Sequence, residues 1–213
     1  MKWWLLLYLS LVGACIQKPQ SIQAPVLYIQ PFHDADSLLV LSIAAAIQSA
    51  SDFQVTLLPP VKAQAQTIDP VRNRYWASRL LDQLKPTINK KDQFVLGITG
   101  TDMAIAKADG SSWGIMGLAY LNRSVAVVSS FRPKRRGASS EKVKERMVLL
   151  ALHELGHAQG LDHCKNSTCL MRDAEGKMHV DDCKSYCKTC FQYLNDRGFI
   201  QKRGIYSQLT ENK

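Results

Sequence analysis

Neither an internal repeat nor a low-complexity tract runs through the 213 residues. Their absence excludes a solenoid and a chain kept open by biased composition. Long apolar stretches are missing too: the run from Trp3 to Val12 falls short of the roughly 20 residues that cross a bilayer. Acidic side chains are scarce, 18 against 27 Lys and Arg, so the formal charge is +9. That excess suits contact with anionic surfaces, although a solvated basic surface is the plainer explanation. Histidine is scarcer still, at five residues, and His153, His157 and His163 lie close together. With 46% hydrophobic and 21% charged residues there is apolar material for a core, which sets disorder aside and fits one ordinary domain.

The opening segment, MKWWLLLYLSLVGACIQKP, pairs Lys2 with the apolar run and then the small residues Gly13 and Ala14. This is the composition of a secretory signal peptide. Val12-Gly13-Ala14-Cys15 resembles the lipobox of bacterial lipoproteins, whose cysteine is lipidated and becomes the first mature residue. The plain alternative is a signal peptide with a cysteine near its cleavage site. The expected organisation is a signal peptide over 1–14, a lipid-anchored tether over 15–25 and a domain over 26–213. The place implied is the bacterial cell envelope, by resemblance the outer membrane, with the domain in the periplasm or at the surface.

Strands and helices then alternate, which predicts an α/β domain. Val26 to Gln30 reads as a strand, and Asp36 as the N-cap of a helix through LLVLSIAAAIQSA. Phe53 to Leu58 alternates like a strand and stops at Pro59-Pro60. Asp69-Pro70 has the form of a helix start, with Tyr75, Leu80, Leu81 and Leu84 as its apolar face. Phe94 to Thr99 is a short apolar run suited to a buried strand, and Ile115–Leu121 and Ser124–Ser130 read as two more. Arg132 to Arg136 reads as an exposed basic loop.

From Ser139 or Ser140 the sequence EKVKERMVLLALHELGHAQ reads as one helix, with Val143, Met147 and Leu150 at the spacing of a buried stripe. His153 and His157, four apart, project from one face about a turn apart, as two ligands of a tetrahedral zinc must. Glu154 can reach a water at the open position and suits a general base. Gly160 ends the helix and lets the chain turn back, so that His163 becomes the third ligand. Three neutral ligands leave a position for water, the catalytic arrangement rather than the structural one. His33 and His179 are read as surface or structural histidines.

Apart from Cys15, the cysteines crowd between Cys164 and Cys190. Cys164 and Cys169 form one close pair, Cys187 and Cys190 another, which suits a four-thiolate structural zinc. Disulfides are the alternative in an exported protein, and Cys183 is left over in either scheme.

These residues resemble the archaemetzincin family of zinc peptidases. The pattern joins HExxHxxGxxH directly to a cysteine, then Cys169-x-Met171, then the distal Cys187-x-x-Cys190. The resemblance implies a compact metzincin-like domain, a mixed twisted sheet packed on helices. It implies two zinc ions per chain: one catalytic, on His153, His157 and His163 with Glu154 as base, and one structural, on the four cysteines. Met171 would form the Met-turn, a hydrophobic floor beneath the catalytic metal. Ile115 to Leu121 would be the edge strand that pairs with an extended peptide.

The expected function is therefore a zinc-dependent peptidase acting as a monomer on peptide or protein substrates, held to a membrane by its N-terminal lipid. The competing reading is a non-catalytic metal- or protein-binding envelope lipoprotein. The intact Glu154 argues against it, since metal binding alone requires no base there. A nucleic-acid zinc module is disfavoured, because no aromatic and basic recognition element accompanies the cysteines.

Overall fold

The structure is a computed structural model that describes residues 24–135 and 137–199. The signal segment, Cys15 and most of the tether lie outside the described residues. The chain enters through strand β1 (Val26–Pro31) and helix α1 (Ser37–Ala50), and returns in β2 (Gln54–Leu57). As the sequence predicts, Asp36 caps α1, accepting a hydrogen bond from the Leu39 N–H at 3.0 Å.

The predicted helix at Asp69-Pro70 does not form there. Asp69 instead ends β3 (Ile68–Asp69), and its carboxylate accepts from the N–H groups of Val71 and Arg72 at 3.1 and 3.4 Å. That local turn, with Asn73 at φ 48°, reverses the chain into β4 (Arg74–Trp76). Helix α2 begins only at Ala77 and runs to Leu84, burying Leu80, Leu81 and Leu84 as expected, while Tyr75 belongs to β4.

Next come β5 (Gln93–Thr99), β6 (Met103–Ala106) and β7 (Ser112–Ile115). The single strand expected over Ile115–Leu121 is broken at Met116. Before the break β7 pairs with β6; after it, β8 (Gly117–Ala119) pairs antiparallel with β9 (Val125–Ser129). The chain thus changes sheets at Met116. One sheet has the order β2-β1-β5-β9-β8, parallel except for its last strand; the other has the order β3-β4-β6-β7.

Alternation along the central strands sets the layers. Leu27, Ile29, Phe94, Leu96, Ile98, Ala126 and Val128 point to one side, where α1 and the long helix α3 (Ser140–Ala158) cover them. Val95, Val125 and Val127 point to the other, onto α2. Helix α3 is buried on nearly every side from Met147 to Leu155, each large aliphatic side chain contributing roughly 1.5–3 kcal/mol. Its cap is Ser139, whose hydroxyl accepts from the Lys142 N–H at 3.2 Å.

The final segment wraps α3 and ends in α4 (Lys188–Asp196), a helix with no counterpart in the sequence reading. Arg146 of α3 grips Asp181 through two hydrogen bonds, 2.9 and 2.6 Å, and Lys142 adds a third contact at 3.1 Å. The Arg146 hydrogen bond holds the Asp181 carboxyl down at about 2. A depressed carboxyl stabilises the fold above its unfolded value of 3.8, and the contribution disappears as pH falls through about 2. Solvent screens the pair, so Asp181→Asn should cost about 1 kcal/mol at neutral pH. Thermal melts should show that gap closing between pH 4 and 2; a gap independent of pH would contradict the linkage.

Of the basic loop, Lys134 and Arg135 are exposed as expected. Arg132 is not: it is half-buried and bound to Asp102 through two hydrogen bonds at 2.7 and 3.1 Å.

Candidate metal centre

The last two turns of α3 present His153 and His157, and the turn at Gly160 brings His163 round to them. Gly160 adopts φ 101°, and its N–H donates to the His157 carbonyl at 2.9 Å, the left-handed helix end that glycine permits. The Asn122 N–H also reaches the His157 carbonyl, at 2.9 Å, tying the end of α3 to the β8–β9 turn.

Two backbone carbonyls settle how the rings are protonated. His153 Nδ1 lies 2.7 Å from the Leu170 oxygen and His157 Nδ1 lies 2.6 Å from the Leu161 oxygen. A carbonyl only accepts, so both Nδ1 atoms carry hydrogen and both Nε2 atoms present lone pairs. Those two Nε2 atoms stand 3.2 Å apart. Facing lone pairs repel, and a cation bound by both relieves the repulsion. Burial, with His157 alongside, pushes the His153 imidazole down to about 3, and burial lowers His157 as well. Both rings are therefore neutral at physiological pH, the form that ligates a metal. One ligand atom from each of His153, His157 and His163 falls within 4.8 Å of the others, so the residues fit a zinc ion. His163 is the exposed member, and its Nδ1 stands 3.6 Å from Asp173.

Glu154 is buried beneath β8 and faces the same cleft as the histidines. A side chain at Gly117 would occupy the space of its carboxyl group, so only glycine lets the edge strand pass this close. Burial alone raises the Glu154 carboxyl to about 8. Met171 is fully buried, its sulfur packed against the α3 backbone at Gly156 between the two helical histidines.

The thiols of Cys164, Cys169, Cys187 and Cys190 also converge, all within 4.8 Å of one another. Backbone N–H groups donate to two of them, from Cys187 to Cys169 at 3.2 Å and from Asn166 to Cys164 at 3.5 Å. Burial lifts the Cys169 thiol to about 11, and burial with the adjacent Cys169 raises Cys190 as well. Burial disfavours the charged thiolate form there, so a cation is what would stabilise four converging thiolates, and the donor set fits zinc. Cys183 takes no part: its thiol donates to the Ser167 carbonyl at 3.2 Å. No disulfide joins any of the five described cysteines.

The profile of peptidase family M54 matches residues 37–196. The chain belongs to that family. This M54 member is 33% identical over 153 residues to the archaemetzincin of Pyrococcus furiosus, covering 68% of this chain and 78% of that one. It is also 33% identical over 165 residues to the archaemetzincin of Archaeoglobus fulgidus, covering 77% and 95%. Among solved structures, the A. fulgidus archaemetzincin complexed with malonate superposes with a TM-score of 0.67 at 29% identity, over 79% of this chain and all but 1% of that one. The Methanopyrus kandleri archaemetzincin gives 0.68 at 26%, over 84% and 98%. The mixed α/β fold that the resemblance to archaemetzincins implies is thus the fold found.

Two participants escape a sequence reading. The Leu170 carbonyl is invisible because any residue could supply it. Gly117 looks like an ordinary strand glycine until Glu154 is placed against it. His179, expected to be structural, is buried, and its Nε2 donates to the same Leu170 carbonyl at 3.2 Å. His33 hydrogen-bonds the Pro60 carbonyl at the surface.

Proposed function

We propose that this chain is a zinc-dependent peptidase in which Glu154 is the general base. The observation that carries this reading is one juxtaposition: a buried carboxyl held under the edge strand, facing the same cleft as three convergent histidines. Membership of peptidase family M54 supports it. His153, His157 and His163 would hold the metal, which supplies Lewis acidity to a water and to the scissile carbonyl. Glu154 takes the proton of the attacking water and returns it to the leaving amine. Beside the metal's positive charge the carboxylate form is favoured, which offsets the effect of burial. Strand β8, at the edge of its sheet, offers main-chain groups that align an extended peptide over Glu154. Met171 and Leu170 fix the floor and the orientation of His153.

The four cysteines would hold a second, structural zinc. With all ligand positions taken by sulfur, that ion has no place for water and acts only as a staple. The test is the zinc content of the full chain, with a count of reactive thiols, followed by a peptide library. Two zinc ions with the thiols protected, together with hydrolysis of peptides, is the expected result. A protein that takes up no zinc after reconstitution would leave a binding module in place of the enzyme.

A further inference from the structure

We propose that the cleft is closed at one end by contact between Trp113 and Gly176, and that it therefore receives a peptide by its C-terminal carboxylate and releases short C-terminal fragments. This rests on the peptidase reading and adds to it which end of the substrate enters.

Trp113 belongs to β7, on the strand wall of the cleft, and Gly176 to the loop after Met171, on the opposite wall. The loop tip is a tight turn in which the Lys177 N–H donates to the Ala174 carbonyl at 2.7 Å. Glu175 and Gly176 take φ 45° and 78° there, the left-handed pair of a type I′ turn. At its base the loop is held twice by Asp173, which accepts from the Glu175 N–H at 3.0 Å and faces His163 at 3.6 Å. At its tip it meets the indole: the first carbon of any side chain at 176 would lie 3.1 Å from Trp113. That is closer than ordinary van der Waals contact, so only glycine fits against the ring, and the gap between loop and indole is too narrow for a polypeptide backbone. The loop is a bar across the cleft, anchored beside the third histidine.

Charge at the barred end selects which terminus stops there. Lys107 Nζ stands 4.6 Å from the indole centroid, and Lys177 lines the cleft beside Gly176. The turn that lays Arg132 over Gly114 also carries Arg135 into the cleft. Arg132 is neutralised by Asp102, but Arg135 rests on the Phe131 ring and has no carboxylate partner among the described residues. The opposing acids are Glu175 at the tip and Asp109 in the same turn as Lys107, since Asp173 is turned to His163. The surplus is positive, so a terminal carboxylate is attracted and a terminal ammonium repelled.

One peptide of about ten residues, long enough to fill a strand-pairing cleft, is offered to the zinc-loaded full chain in three forms: free termini, amidated C-terminus and acetylated N-terminus. Mass spectrometry of the products should show cleavage only within the last few residues. Amidation should lower kcat/KM roughly tenfold or more by removing the charge, and acetylation should leave it unchanged. Trp113→Ala, at a half-exposed position, should fold normally and begin to cut internal bonds and the amidated peptide. Internal cleavage by the unaltered protein, or equal cleavage of the amide, overturns the proposal and leaves the peptidase reading intact. Calorimetric binding to Glu154→Gln protein separates the two ideas. If nothing is cut yet the free acid binds much more tightly than the amide, the closed end stands and the peptidase reading falls. If neither cleavage nor carboxylate-dependent binding is found, both fall.

Discussion

Glu154→Gln is expected to lower kcat/KM for peptide hydrolysis by about 10³-fold, some 4 kcal/mol of transition-state stabilisation, while zinc content and melting temperature stay close to those of the parent. Glutamine has nearly the shape of glutamate and fills the space under Gly117 that excludes any side chain there. Its amide cannot take a proton from water, so only the chemistry changes. The pH profile gives a second readout. Burial holds the carboxyl up to about 8 when no cation is near, and a metal on the adjacent histidines lowers that value. The base works only when ionised, so activity in the parent should fall as pH drops through the metal-lowered value. Residual activity in the variant should lack that acidic limb. Retained turnover, or an unchanged limb, would remove Glu154 from the reaction.

Losing the cysteine centre should do wider damage than losing a histidine. Cys169→Ser is expected to release both metals and to destabilise the domain by several kcal/mol, since structural zinc in small cysteine sites is worth roughly 10–16 kcal/mol of binding free energy. His157→Ala should release the catalytic metal alone. The asymmetry follows from the wiring. Cys169 accepts from the Cys187 N–H, Leu170 donates its N–H to the Ser185 carbonyl at 2.7 Å, and the Met171 carbonyl receives the Cys164 N–H at 2.8 Å. Between those bonds sits the Leu170 carbonyl that fixes His153. Melting the thiolate cluster frees that carbonyl, and His153 loses the bond that sets its tautomer. Metal analysis and near-ultraviolet circular dichroism of the two variants check this. A Cys169→Ser protein that keeps one tightly held zinc and the parental melting temperature would show the centres to be independent.

Where local chemistry and tertiary structure agree, the sequence is readable. Asp36 caps the helix expected to follow it, Ser139 is the one of the two candidate serines that caps α3, and the apolar run at β5 is buried throughout. The three histidines and the four cysteines singled out by their spacing converge into two clusters. The i, i+4 spacing of His153 and His157 is a local constraint, whereas the meeting of the two cysteine pairs is tertiary. The reading fails where one local signal has two outcomes. Asp69-Pro70 can start a helix or a turn, and pairing of Tyr75 and Trp76 with β6 decides for the turn. Helix α4 is not legible in the sequence, because a close cysteine pair signals a chelate or a disulfide, while Cys187 as N-cap offers no side-chain hydrogen bond to mark a helix start. The break at Met116 belongs to no local pattern; it arises because two sheets share one chain. The contact of Trp113 with Gly176 joins residues far apart in sequence and could be found only in three dimensions.

The Leu170 carbonyl has a consequence for anyone borrowing this site. His153 and His179 both donate to it, their rings packed edge to face with centroids 4.9 Å apart. A designer who transplants only the HExxHxxGxxH helix onto another scaffold carries away the ligands without their alignment. That alignment depends on everything from the Ser139 cap through α4, cysteines included, and on β8 and the Asn122 turn that hold Glu154 and the end of α3.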